Sequence, residues 1–220
     1  IYLMKIFLDT ADTPTVKRLF STGLIDGVTT NPSLIRKSGA NPLDVYAELQ
    51  SLGVPDISME VYGTADEMYD EAQNLSAQFG DVATIKLPMT VDGLSVTRKL
   101  SQQNIRTNVT LIFSIPQAIL AAKAGATYVS PFVGRLDDQQ VAGLEVVRGI
   151  ASLFQMKSVR TKVLAASIRD VHRAVRSFYN GADIVTMPPA VFERMADHIL
   201  TDAGLDIFNK DIAAMAHNNY

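Results

Sequence analysis

Apolar residues along this chain gather in short runs rich in β-branched side chains. Between the runs lie longer stretches whose apolar positions recur three and four apart. The short runs read as strands: MKIFLD (4–9), DGVTT (26–30), ISMEV (57–61), VATIKL (82–87), RTNVTL (106–111), TYVSPF (127–132), KVLAAS (162–167) and DIVTM (183–187). The stretches between them read as amphipathic helices. In TADEMYDEAQNLSAQF (64–79), Met68, Ala72, Leu75 and Phe79 share one face, and Thr64 with Glu67 makes a capping box. Asp137 precedes a second helical stretch, with Val141, Leu144, Val147, Ile150 and Phe154 as its stripe. Asp170 to Tyr179 and Pro189 to Leu200 read as two more helices. Gly53-Val54-Pro55, Gly80-Asp81, Gly125-Ala126 and Gly181-Ala182-Asp183 punctuate the units as turns.

Eight alternations of strand and helix predict a parallel sheet built from βα units. An open doubly wound sheet usually has fewer strands and often a glycine-rich phosphate loop after the first. Here the first strand runs into DTADTP (9–14) instead. The expectation is therefore α/β, a (β/α)8 TIM barrel spanning residues 1–220 as a single domain. Residues 202–220, DAGLDIFNKDIAAMAHNNY, continue past the eighth unit as a helical extension that packs on this barrel or on a neighbouring subunit. Met4 is a candidate natural start, with Ile1 to Leu3 as extra sequence.

Composition narrows the partners. With 47% hydrophobic and 20% charged residues and a net charge of −3, the chain can fill a core and shows no basic field for nucleic acid. It has no cysteine, so neither disulfides nor thiolate metal sites are available, which suits a cytoplasmic protein. No apolar run approaches the roughly 18 residues of a membrane helix. The opening IYLMKIFLDT lacks the pattern of a secretion signal. His172, His198 and His217 fall outside strand ends and lack metal-ligand spacing, so no metal is expected on them.

In a (β/α)8 barrel the functional groups gather at the C-terminal ends of the strands. The polar residues predicted there are Asp9, Asn31, Glu60, Lys86, Asn108, Thr110, Ser130, Arg135, Ser167 and Arg169. Alternation turns Lys86 and Thr84 to one face and Ile85 and Leu87 to the other, pairs Ser58 with Glu60 and Asn108 with Thr110, and pairs Ser130 with Phe132. Each residue also has a plainer reading. Asp9 and Asn31 can serve as caps or turn formers, Glu60 as a surface carboxylate, and the hydroxyls as backbone partners. The arginines can form surface pairs, and Lys86 can reach past the strand end to solvent. Their coincidence on one rim favours chemistry.

A lysine held among apolar walls loses the solvation of its ammonium, which favours the neutral amine. A neutral amine attacks carbonyls and forms a Schiff base. Cleavage of the neighbouring C–C bond then needs a group to take a hydroxyl proton, for which Asp9 and Glu60 are candidates. Arg135 and Arg169 offer planar donors for a phosphate, and Asn31, Asn108, Ser130 and Ser167 offer bonds to sugar hydroxyls. The set points to a Schiff-base lyase or transferase acting on a phosphorylated sugar.

The motifs FLDTAD (7–12), GVTTNPSLI (27–35), IKLPMT (85–90), TNVTLIFS (107–114), YVSPFVGRLDD (128–138) and VLAASIRD (163–170) carry a resemblance to a known family. The chain resembles the transaldolase family, in particular its short single-barrel branch, which includes fructose-6-phosphate aldolase. The resemblance implies that Lys86 forms the Schiff base and that Asp9 assists C–C cleavage. It implies that Glu60 works with a catalytic water that Thr110 helps to hold. It implies that Asn31, Asn108 and Ser130 position a dihydroxyacetone unit, and that Arg135, Ser167 and Arg169 bind phosphate. The aldolase branch is expected to carry a glutamine in place of Glu60 and a proton-transferring tyrosine in place of Phe132, so transaldolase is the expected activity. Such an enzyme moves dihydroxyacetone from fructose 6-phosphate or sedoheptulose 7-phosphate to erythrose 4-phosphate or glyceraldehyde 3-phosphate, in the pentose phosphate pathway. No cofactor or metal is implied, and neither nucleic acid nor membrane. A homo-oligomer, pentamer or decamer, is implied. Simple aldol cleavage and a catalytically silent sugar-phosphate-binding barrel are the alternatives.

Overall fold

The computed structural model describes residues 4–217, so Ile1 to Leu3 and the last three residues lie outside the described part. Eight parallel strands close into a barrel in sequence order: β1 (Lys5–Asp9), β2 (Gly27–Thr29), β3 (Ile57–Glu60), β4 (Ala83–Pro88), β5 (Thr107–Ile112), β6 (Tyr128–Pro131), β7 (Lys162–Ala165) and β8 (Ile184–Met187). The first strand pairs with the last, with Lys5 beside Ile184 and Leu8 beside Met187. Helices cover the outside: α1 (Thr13–Phe20), α2 (Pro32–Ser38), α3 (Pro42–Ser51), α4 (Ala65–Phe79), α5 (Val91–Gln102) and α6 (Ile115–Lys123). They continue as α7 (Val133–Asp138), α8 (Gly143–Met156), α9 (Val171–Tyr179), α10 (Pro189–Arg194) and α11 (Ile199–His217).

The expected strands form, each within two residues of its predicted limits. Their outward side chains, among them Ile85 and Leu87 on β4 and Val163 and Val185 on β7 and β8, pack against the helices in two apolar layers. The inward side chains plug the N-terminal half of the barrel. Phe7, Tyr128, Leu164 and Ile184 form that plug, with Phe7 edge-on to Tyr128 at 6.3 Å. Gly27 makes room for it, since a Cβ there would lie 2.6 Å from the Phe7 ring. Asp56 sits in the same layer and accepts from the Tyr128 and Thr84 hydroxyls at 2.6 and 2.7 Å. With the lower half filled, the space inside the barrel lies toward its C-terminal rim.

Two helical expectations are corrected. The stretch after Asp137 is not one helix: α7 ends at Asp138, Gln140 turns through φ 60°, and α8 starts at Gly143. A Cβ at Gly143 would lie 2.6 Å from Val133 O, so the two helices meet too closely for any larger residue there. Val141 falls in the turn and is exposed, although Asp137 does cap α8, accepting from Gly143 N at 3.0 Å. Likewise the helix from Pro189 stops at Arg194 rather than Leu200. A new one starts at Ile199, three residues before the expected extension, with His198 Nδ1 accepting from Leu200 N. No helix of the described residues is long and apolar enough to cross a membrane.

Candidate active site

The strand register sets the rim. Glu60 lies beside Lys86, Lys86 beside Asn108, and Asp9 beside Thr29. Alternation from these pairs aims all of them into the barrel. Lys86 is only 5% exposed. Its Nζ donates to Thr30 O at 3.0 Å and stands 3.4 Å from Glu60 Oε2. Thr30 belongs to the short TTNP link after β2, and its own hydroxyl donates to Ser58 O. The lysine is thus held by the first turn after one strand and the end of another.

Asp9 accepts from the Thr29 hydroxyl at 2.9 Å, and Thr29 in turn shares a hydrogen bond with Thr186. Burial pushes the Asp9 carboxyl above its ordinary value of 3.8, opposed by the Lys86 charge and the Thr29 hydroxyl. Burial raises Glu60 in the same way, again opposed chiefly by Lys86. Two carboxyls therefore flank one amine, both poised nearer to proton exchange than an exposed acid would be. Asn108 and Ser130 are buried and tied together: Ser130 Oγ donates to Asn108 Oδ1 at 2.7 Å, and Asn108 Nδ2 donates to Ser58 Oγ at 3.3 Å.

A cavity of about 110 Å³ opens above these groups. Eight of the expected residues line it: Asp9, Asn31, Lys86, Asn108, Ser130, Phe132, Arg135 and Ser167. Asn31 serves as cap and rim residue at once. Its Oδ1 accepts from Leu34 N at the start of α2, which leaves the amide NH2 for a ligand. Phe132 meets Phe113 edge-on at 5.7 Å, and the Arg135 guanidinium lies 5.1 Å over its ring. Three expected residues do not line the cavity. Glu60 reaches it through Lys86, while Arg169, paired with Asp138, lines an adjoining cavity that Arg135 shares. Thr110 lies where β5 breaks register with β6 and Leu111 adopts φ 61°. Among the described residues, the buried Glu60 Oε2 and Thr110 Oγ1 have no hydrogen-bond partner.

Thr29 and Thr186 line the cavity and went unrecognised in the sequence. The alternation of DIVTM turns Thr186 inward and was the available signal. A larger depression of about 430 Å³ lies by Lys162 and Asp183, at the opposite end of the barrel from these groups. Among the described residues, no three His, Cys, Asp or Glu side chains gather as a metal cluster.

The family described as Transaldolase/Fructose-6-phosphate aldolase matches residues 6–219. The chain belongs to this family. Its curated relatives include a "Probable transaldolase" of Caulobacter vibrioides, 49% identical over 96% of this chain and 97% of the relative. One from Cereibacter sphaeroides is 46% identical over 96% of each, and one from Nitrosopumilus maritimus is 46% identical over 94% of each. Among solved structures, a chain named as a lactate oxidase from Pediococcus acidilactici superposes with a TM-score of 0.62 at 14% identity, covering 86% of this chain and 64% of that one. That likeness concerns the barrel alone. Membership of the family makes the protein an enzyme of the aldolase and transaldolase type, acting on phosphorylated sugars.

Proposed function

We propose that the protein is a transaldolase. The observation that carries this is the buried Lys86 amine set between Glu60 and Asp9 beneath a phenylalanine-walled pocket. In this reading Lys86 Nζ attacks the ketose carbonyl, water leaves, and a protonated imine forms. Asp9 takes the proton of the hydroxyl on the far carbon of the bond that breaks. The aldehyde departs and the bonding electrons pass to the imine nitrogen, leaving an enamine. An acceptor aldehyde adds by the reverse steps, and hydrolysis releases the product ketose. Glu60 moves protons to and from the amine through a water that Thr110 helps to hold, which would give the Thr110 hydroxyl a partner and Glu60 Oε2 a hydrogen bond beside its 3.4 Å ion pair with Lys86. Asn31, Asn108 and Ser130 hold the dihydroxyacetone part, while Arg135, Ser167 and Arg169 meet the phosphate. Fructose 6-phosphate and erythrose 4-phosphate are the expected pair, as in the pentose phosphate pathway, and the reading implies a cytoplasmic enzyme.

Simple aldol cleavage is the second reading, and Phe132 favours transfer over it. A phenyl ring just after β6 cannot deliver a proton to free the enamine. Borohydride added to enzyme and fructose 6-phosphate should leave a reduced dihydroxyacetone adduct on Lys86, seen by peptide mass spectrometry and absent in Lys86→Met. An adduct on Lys162, or none, would overturn the mechanism. Brisk cleavage of fructose 6-phosphate with no acceptor aldehyde would favour the aldolase.

The same proposal extends to assembly. α11 carries Leu205, Phe208, Ile212 and Met215 at spacings of three and four, all exposed, with Asp202, Asp206 and Asp211 beside them. An apolar groove between α6 and α8 is lined by Ile119, Leu153 and Val159 and flanked by Lys123 and Lys157. Stripe and groove are complementary in polarity and in charge. We take the occupant of the groove to be α11 of a second copy, in a pentamer or decamer.

A further inference from the structure

We propose that Asp138 is a positioning residue for the phosphate end of the site: it grips the Arg169 guanidinium and fixes it along α7 beside Arg135. The proposal rests on the phosphosugar reading above. Both terminal nitrogens of Arg169 donate to Asp138, Nη1 to Oδ1 and Nη2 to Oδ2, the latter at 2.7 Å. The other end of the group is pressed on Gly134, where a Cβ would lie 2.7 Å from Arg169 Nε. Gly134 and Asp138 are one helical turn apart on the same face of α7. The guanidinium is thereby laid flat along the helix that also carries Arg135.

The surroundings give that placement a purpose. Arg135 lines the main cavity and also an adjoining one of about 480 Å³, whose other walls include Phe113, Asp138 and Arg169. Among the described residues Arg135 makes no close ion pair, and the walls of the adjoining cavity carry two guanidiniums, Arg135 and Arg169, and one carboxylate, Asp138. An anion on the far end of a ligand seated over Lys86 passes Ser167 and Arg135 first. It meets Arg169 only if that side chain stays down on α7. Ser167 is itself held in the left-handed region at φ 56°, with its carbonyl accepting from Gly134 N at 2.9 Å. Such a conformation is unfavourable for a non-glycine residue and persists where the surroundings over-determine it.

Fold stability does not account for the pair. Asp138 and Arg169 are each half exposed, where solvent and salt screen the pair. The neighbouring Asp137 already ties the segments together, since its Oδ2 accepts from Arg173 Nε at 2.9 Å and its Oδ1 caps α8. Asp137 straps α7 to α9, and Asp138 is left to hold Arg169. An arginine without that partner keeps its full rotamer freedom and must lose it on binding.

The test is the near-isosteric Asp138→Asn, assayed with fructose 6-phosphate and with unphosphorylated fructose as donors, and with inorganic phosphate as competitor. We expect KM for fructose 6-phosphate to rise about tenfold, equivalent to roughly 1.4 kcal/mol, with kcat nearly unchanged. The inhibition constant of phosphate should rise in parallel, kcat/KM for fructose should hold, and Asp138→Glu should recover part of the loss. An unchanged or lower KM for fructose 6-phosphate overturns the proposal. Equal losses with both donors, or a lower melting temperature alone, would mark Asp138 as merely structural and also overturn it. A wild-type enzyme that did not distinguish fructose 6-phosphate from fructose would instead sink the phosphosugar reading, before any variant is made.

Discussion

Asp9 shows how the site sets itself against the fold. Its carboxyl is raised by burial above 3.8, so the folded protein keeps a proton at pH values where the unfolded chain has already released it. The native state then binds more protons than the unfolded state, and stability falls as pH rises through that window. Below 3.8 the effect is absent, and above the raised value it is complete. Glu60, raised above 4.5, has the same sign. Asp9→Asn cannot titrate, so its stability relative to wild type should climb between acid and neutral pH, by about 1.4 kcal/mol for each unit of the native shift. Urea unfolding at a series of pH values reads this directly, and parallel curves for the two proteins would refute it. These residues were legible in the sequence because alternation and strand ends locate an inward polar rim. Arg169 was legible only as a charge: its orientation depends on Asp138, on another element, which alternation along β7 cannot reveal. Thr110 likewise sits where a register shift removes the guidance that alternation gives.

At the scale of elements, α4 is the helix that its own residues specify most completely. Thr64 Oγ1 accepts from Glu67 N, and Glu67 Oε2 accepts from Thr64 N at 2.8 Å, while Met68, Ala72, Leu75 and Phe79 are buried as their spacing requires. Thr64→Ala removes one half of the box and should lower the unfolding free energy by about 1 kcal/mol. For a chain of this size that is a drop in Tm of about 2–4 °C, with kcat untouched because α4 brings no side chain to the cavity. Calorimetry beside the transfer assay would show it, and a fall in activity without a fall in Tm would contradict it. The eight strands were as legible as α4, since short β-branched runs have few other places in a chain of this pattern. The breaks after α7 and α10 were not. Each depends on contacts made elsewhere: Gly143 meeting the Val133 carbonyl, and the His198 ring closing the first turn of α11. A periodic pattern that continues across such a break looks like one helix.

For the whole molecule, α11 poses the remaining problem. It is 19 residues long, and Phe208 and Ile212 are 63% and 58% exposed. Burying a large apolar side chain yields about 1.5–3 kcal/mol, so four along one stripe can offset much of the roughly 4–15 kcal/mol that association costs. A contact in which each copy gives its α11 to one neighbour and receives that of another is head-to-tail, and it closes into a ring when the rotation per copy divides a full turn. Phe208→Asp puts a charge in the middle of the stripe and adds to the acidity already set by Asp206 and Asp211. Sedimentation should then find single chains, where the proposal expects an assembly of the wild type. The barrel should remain folded, and Lys86 should still be trapped by borohydride, since α11 brings no side chain of its own to the cavity. Lys123→Glu with Lys157→Glu, on the opposite side of the same contact, should release single chains as well. An assembly that survives Phe208→Asp unchanged would mean that some other surface joins the copies. Release by Phe208→Asp but not by the lysine pair would place α11 in a different groove of its neighbour.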